Sequence, residues 1–134
     1  MNSFTGHIVS IEESEKMSLV TVSIVDDLRM KAIILETSAT ASYLKLDNPI
    51  RVLFKETEVV IGTAKPHQIS LQNRIPGTVS LIEKSGLLSK ITVQSNAGDI
   101  VSIISTQAIM DLNIQEGSSV VAMIKLNEVM LSLC

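Results

Sequence analysis

The sequence predicts an all-β fold of two similar five-stranded units in tandem, each interrupted by one short helix. Three observations lead there. The chain repeats itself, its apolar stretches alternate with polar residues at period two, and the alternation breaks at the same place in each copy. Asn2-Ser3-Phe4-Thr5-Gly6 returns as Asn73-Arg74-Ile75-Pro76-Gly77, and Lys55-Glu56-Thr57-Glu58-Val59 returns as Lys125-Leu126-Asn127-Glu128-Val129. Both landmarks recur after about 70 residues, so each copy is a unit of roughly 60 residues and not a solenoid turn. A unit of that size buries little surface alone and is expected to pack against its twin.

In the first copy, residues 4–11 and 17–24 alternate as half-buried strands do, and Glu12-Glu13-Ser14-Glu15-Lys16 between them reads as a polar turn. A third strand is expected over 30–35, after Asp26-Asp27. Residues 37–44 then lose the alternation: Thr37 and Thr40 suit a helix start, and small residues follow for one or two helical turns. Strands over 50–54 and 58–61 complete the unit. The second copy runs in the same order, with strands over 75–82, 87–94, 100–104, 120–124 and 129–133 and a helix near 106–112. Gly98 and Gly117 supply turns where the first copy uses Asp27 and Asp47-Asn48-Pro49. Five strands with a helix between the third and fourth is the order of a small OB-like barrel. The expected modules are 1–63 and 73–134, joined by a linker over 64–72.

Apolar residues make up 46% of the 134 residues and aromatics 2%, so the core is aliphatic. A formal net charge of -3 argues against a surface built for phosphodiester chains, and three aromatic side chains offer little for stacking bases. No direct nucleic-acid contact is expected. One cysteine, Cys134, permits no internal disulfide and fits a reducing compartment. No stretch approaches the roughly 18 consecutive apolar residues of a membrane helix, and no secretory signal is visible, which together point to a cytoplasmic protein with no membrane partner.

Enzyme constellations are missing. His7 and His67 have no His or Cys at metal-ligand spacing, and His7 reads as a strand-surface residue. No phosphate loop, dinucleotide fingerprint or nucleophile elbow occurs, and Glu12, Glu13 and Glu15 read as solvated. What recurs is a set of hydrogen-bond donors at element ends. Thr37 and Thr40 open the first helical segment, Ser105 and Thr106 the second; Lys55 and Lys125 end the fourth strands; Ser70, Gln72 and Asn73 precede the second copy. Hydroxyls, an ammonium and free N–H groups suit a small, fully ionised oxyanion that has only acceptor oxygens. The plainer alternative is that the hydroxyls cap helices and the lysines are solvated.

These residues resemble the molbindin family, the Mop or TOBE domains that bind molybdate or tungstate, in its two-copy, di-Mop form. The family pattern runs Ser-x-Arg-Asn, x-x-Gly-x-Ile-x-x-Ile, Thr-x-x-Ser before Leu-x-Leu, and Ile-Lys-Ala-x-x-Val. The second copy offers Ser70-Leu71-Gln72-Asn73, Gly77-Thr78-Val79-Ser80-Leu81-Ile82, Ser105-Thr106-Gln107-Ala108 before Leu112-Asn113-Ile114, and Ile124-Lys125-Leu126-Asn127-Glu128-Val129. The first offers Asn2, Gly6, Thr37-Ser38-Ala39-Thr40 before Leu44-Lys45-Leu46, and Phe54-Lys55-Glu56-Thr57-Glu58-Val59. Gln72 stands where the family has arginine, and Ala108 where it has a second hydroxyl; the first copy lacks the Ser-x-Arg part.

The resemblance implies a non-enzymatic protein that holds molybdate or tungstate noncovalently, through donors and without direct metal ligands, for storage, buffering or sensing. It implies a best-preserved set of Thr37, Thr40 and Lys55 with Ser70, Gln72 and Asn73, brought together between modules, and a weaker site at Ser105 and Lys125. Lys55 is the expected main cation, with Lys16 as an exposed lysine for contrast. A homo-oligomer is expected, a trimer of two-copy chains ahead of a dimer. An effector module acting with a separate DNA-binding partner, or an interaction domain with a degenerate site, are the alternatives.

Overall fold

Backbone and side chains of residues 1–65 and 68–134 are described by a computed structural model. His67 therefore lies outside the described residues. The strands are β1 (Asn2–Ser14), β2 (Met17–Val25), β3 (Leu28–Ile34), β4 (Pro49–Phe54) and β5 (Val60–Thr63) in the first copy. The second has β6 (Asn73–Glu83), β7 (Leu88–Ser95), β8 (Gly98–Ser105), β9 (Ser119–Ile124) and β10 (Met130–Leu133), with helix α1 (Thr106–Asp111) between β8 and β9. A single 3-10 turn precedes each final strand, Glu56–Glu58 and Leu126–Glu128.

Two five-stranded antiparallel sheets result, and each takes its fifth strand from the other copy. The orders are β10-β4-β1-β2-β3 and β5-β9-β6-β7-β8. Met130 pairs with Leu53 and Leu133 with Ile50, while Val60 pairs with Met123 and Thr63 with Val120. The expectation that 58–61 completes its own copy is thus corrected. The 3-10 turn carries the chain out of line with β4, and the strand that follows meets the neighbouring sheet. The exchange joins the copies through one continuous core, in which Phe4, Ile8, Val20, Val22, Met30 and Phe54 meet Ile75, Val79, Ile91, Val93, Ile100 and Ile124. Each such aliphatic or aromatic side chain contributes about 1.5–3 kcal/mol by leaving water.

Two further expectations change. Glu12 to Ser14 continue β1, and the reversal is confined to the residues after it, where Glu15 adopts φ 58°. The helix between third and fourth strands forms only in the second copy. There Ser105 caps α1 by accepting from Ala108 N–H at 3.0 Å, and Gln107, Ala108 and Met110 favour the helix. In the first copy residues 37–44 form turns: Thr40 Oγ1 accepts from Thr37 N–H at 2.9 Å and Ser38 N–H goes to Glu13. Hydroxyl and carboxylate groups that compete for backbone donors favour turns over helix.

The paired glycines are explained by close approach. A Cβ on Gly77 would lie 2.6 Å from the Gln94 carbonyl oxygen, and one on Gly6 would collide with the Ser23 carbonyl oxygen. Both glycines sit beside a bulge in their strand, between Ile8 and Ser10 or between Val79 and Leu81.

Candidate functional site

Each copy begins its first strand with an asparagine that is almost wholly buried, Asn2 at 5% and Asn73 at 2% exposure. Their carboxamides stand in for a strand. Asn73 Oδ1 accepts from Lys31 N–H and Asn73 Nδ2 donates to the Lys31 carbonyl, both at 2.8 Å. Asn2 makes the same two bonds to Val101, also both at 2.8 Å. Asn2 thus reaches from the first sheet to β8 at the edge of the second, and Asn73 from the second to β3 at the edge of the first. These clamps satisfy edge groups that would otherwise cost about 1–3 kcal/mol each if buried unpaired.

The clamps fix where the conspicuous lysines stand. Asn2 is opposite Phe54 and Asn73 opposite Ile124, so Lys55 and Lys125 lie just beyond those pairs. Each lysine leads into its 3-10 turn from extended backbone, with φ -72° and ψ 146° at Lys55 and φ -66° and ψ 145° at Lys125. The turn after Lys55 packs against β8, the turn after Lys125 against β3. Among the described residues the ion pair is that of the Met1 amino group with Glu56 Oε2 at 3.5 Å, so neither lysine is neutralised by a carboxylate. The fold therefore builds two related corners: Asn2 with Lys55 against Val101, and Asn73 with Lys125 against Lys31.

Ser70 and Gln72, both exposed, lie ahead of β6 and so belong to the Lys125 corner within one chain. Lys55 stands at the other corner. Thr37 and Thr40 are elsewhere again, near the far end of β1, where Ser38 binds Glu13. The Thr40 hydroxyl is turned onto its own loop, accepting from Thr37 N–H and donating to the Thr37 carbonyl at 3.2 Å. Thr37 and Thr40 line an open hollow with Glu15, Lys16 and Glu36, so Lys16 is no neutral contrast for a binding test. Ser105 acts as a helix cap, and the Thr106 hydroxyl bonds Ser89 Oγ at 2.7 Å and the Ser85 carbonyl at 2.8 Å. Asn73 joins the sheets through its carboxamide. His7 is an exposed residue of β1.

Two working residues escape sequence reasoning. Glu13, read as solvated, accepts from Ser38 Oγ at 2.6 Å and from Ser38 N–H at 2.8 Å. Those bonds, the hydroxyl first, hold its carboxyl below the ordinary value. Arg74 stands two places beyond the position where the family pattern has arginine. Its Nε donates to the Leu71 carbonyl and Nη2 to the Ile69 carbonyl, each at 2.7 Å, which curls the segment carrying Ser70 against β6. The displaced arginine was readable in the sequence; its target was not. A groove of about 510 Å³ beside Arg74 and Pro76 is lined by Asp26, Asp27 and Asn96, and its carboxylates disfavour an anion there.

Residues 69–131 match the TOBE domain. The chain is 34% identical over 64 residues to molybdenum-pterin-binding protein 3 of Clostridium pasteurianum, a stretch that spans 47% of this chain and 94% of that relative. The chain belongs to the Mop/TOBE family. A crystal structure of the cytoplasmic molybdate-binding protein ModG, with molybdate bound, superposes on this Mop/TOBE protein with a TM-score of 0.90 at 24% identity, over 99% of this chain and 96% of that one. The likeness shows that the whole two-copy OB-like architecture is shared. These relatives are named as binding proteins, not as enzymes.

Proposed function

We propose that this protein binds molybdate or tungstate noncovalently, as an intracellular store, buffer or sensor, and is not an enzyme. The observation that carries the reading is the duplicated corner: an unneutralised lysine, held by strand register beside an asparagine clamp, in each copy. A tetrahedral dianion has acceptor oxygens only, and ammonium, amide and hydroxyl donors meet it without any protein ligand to the metal. Membership in the Mop/TOBE family and the names of its relatives support the same ligand. The site residues are Lys125, Gln72 and Ser70 at one corner and Lys55 at the other, with Asn73 positioning β6. Thr37, Thr40 and Ser105 are brought to these corners by a second chain.

Such completion requires an oligomer, and a trimer is the arrangement we favour over a dimer. Leu35, Leu87 and Leu133, exposed at 79%, 87% and 64%, supply apolar surface for it. Light scattering should give a mass above that of one chain; a monomer at micromolar concentration with molybdate present would sink the oligomer. Titration calorimetry should show binding of molybdate and tungstate with little or no heat from sulfate. Lys55→Ala or Lys125→Ala should each weaken binding at its own corner by about 1.5–3 kcal/mol, the loss of one charge-assisted hydrogen bond. Absence of heat with all three anions would leave the domain as an interaction module.

A further inference from the structure

The two corners differ in charge at several positions, with Arg74 for Ser3 and Leu126 for Glu56, and the difference on the clamped strand itself is Lys31 for Val101. The Lys31 backbone N–H and carbonyl both go to Asn73 at 2.8 Å, so its Cα is held against the start of β6. Met30 and Ala32 on either side are buried, whereas Lys31 is exposed, so strand alternation turns its side chain outward from the core. The turn after Lys125 packs against the same strand. No carboxylate among the described residues lies within ion-pair distance of Lys31. The equivalent residue at the other corner, bonded by Asn2 in the same way, is the half-buried, uncharged Val101.

We propose that Lys31 is a second cationic donor to the anion at the Asn73 corner, supplying the charge that Gln72 does not. The proposal rests on the molybdate or tungstate reading above and adds a residue to it. A dianion beside Lys125 alone keeps one charge uncompensated, whereas Lys31 and Lys125 together balance it. The ammonium rides on a flexible four-carbon stem, so a clamped Cα beside the site places it within reach without fixing a single geometry. The corner with two lysines is then the tighter one, and the Val101 corner the weaker.

Calorimetry with molybdate on the full chain tests this, using Lys31→Ala, Lys31→Arg, Val101→Lys and, as a contrast, Lys90→Ala at an exposed position of β7. Lys31→Ala should weaken the tighter binding by roughly ten- to a hundredfold and flatten its dependence on salt, because one fewer cation meets the ligand. Lys31→Arg should keep most of the affinity, Val101→Lys should tighten the weaker corner, and Lys90→Ala should leave both unchanged. Lys31→Ala binding like Lys90→Ala, with the same salt dependence, would overturn the role of Lys31 and leave the ligand reading standing. A wild-type chain that binds neither molybdate nor tungstate would overturn both.

Discussion

In the first copy Phe4 and Phe54 lay their rings 5.9 Å apart at 48°, and the Phe4 ring would stand 3.6 Å from a Cβ on Gly98. In the second copy the repeat puts Ile75 and Ile124 at these places, with Ala122 in the position of Val52. The smaller second core is matched by Ile109 of α1, buried where the first copy has Ala41. Around these shifts the asparagine clamp, the close-approach glycine and the lysine after the fourth strand hold their places in both copies. Volume can be moved between core elements so long as the total is filled. A carboxamide bonded to both polar atoms of a strand residue, or a glycine against a carbonyl, has no substitute of another shape.

The comparison is tested most severely in the core. Phe54→Ala should lower unfolding free energy in urea by about 3–5 kcal/mol, more than Ile124→Ala, because it removes a ring pair as well as volume. Equal losses would show that the ring pair adds nothing beyond its size. Next come the clamps. Asn2→Ala and Asn73→Ala should each cost about 1–3 kcal/mol, and hydrogen exchange should find the Val101 amide deprotected in the first and the Lys31 amide in the second. Loss of both amides in either variant would mean that the clamps act as one unit.

The smallest effect lies in the loop that replaced a helix. Glu13 has its carboxyl lowered below its ordinary value by the hydrogen bonds from Ser38, so the clip is fully present above the unfolded-state value and is lost as pH falls through the lowered one. Exchange of the Ser38 amide should therefore quicken, relative to intrinsic rates, only at acidic pH, while Glu13→Gln should remove that pH dependence. The second copy, whose Ser105 cap has no carboxylate, should show no such transition at Ala108. A pH-independent Ser38 amide would place the restraint on the loop elsewhere.

Strand order, the repeat and the aliphatic core were all legible, because period-two alternation reports burial directly. The lysine ends and asparagine starts were legible as positions, though not as a clamp. An asparagine before a strand looks alike whether it faces ligand or bonds a distant edge, and Asn73 and Lys31 are far apart in sequence. The exchange of β5 and β10 left no local trace either: Val60–Thr63 has the same pattern whichever sheet it joins. Thr37 to Thr40 shows the reverse failure. Local capping logic predicted a helix, and a carboxylate from β1 took the backbone donor instead.

Because β10 pairs with β4, the first sheet cannot close when its own copy has been made. On a ribosome, roughly 75 residues separate the end of β4 from the start of β10, an interval of about 4–15 s at about 5–20 residues per second. Throughout it β4 presents an open, apolar edge to any other extended chain. Nascent chains side by side on one message could fill that edge with each other's β5, producing linked assemblies in place of closed single chains. The timing of synthesis, and not the final stability, would then decide whether each chain completes its own pair of sheets.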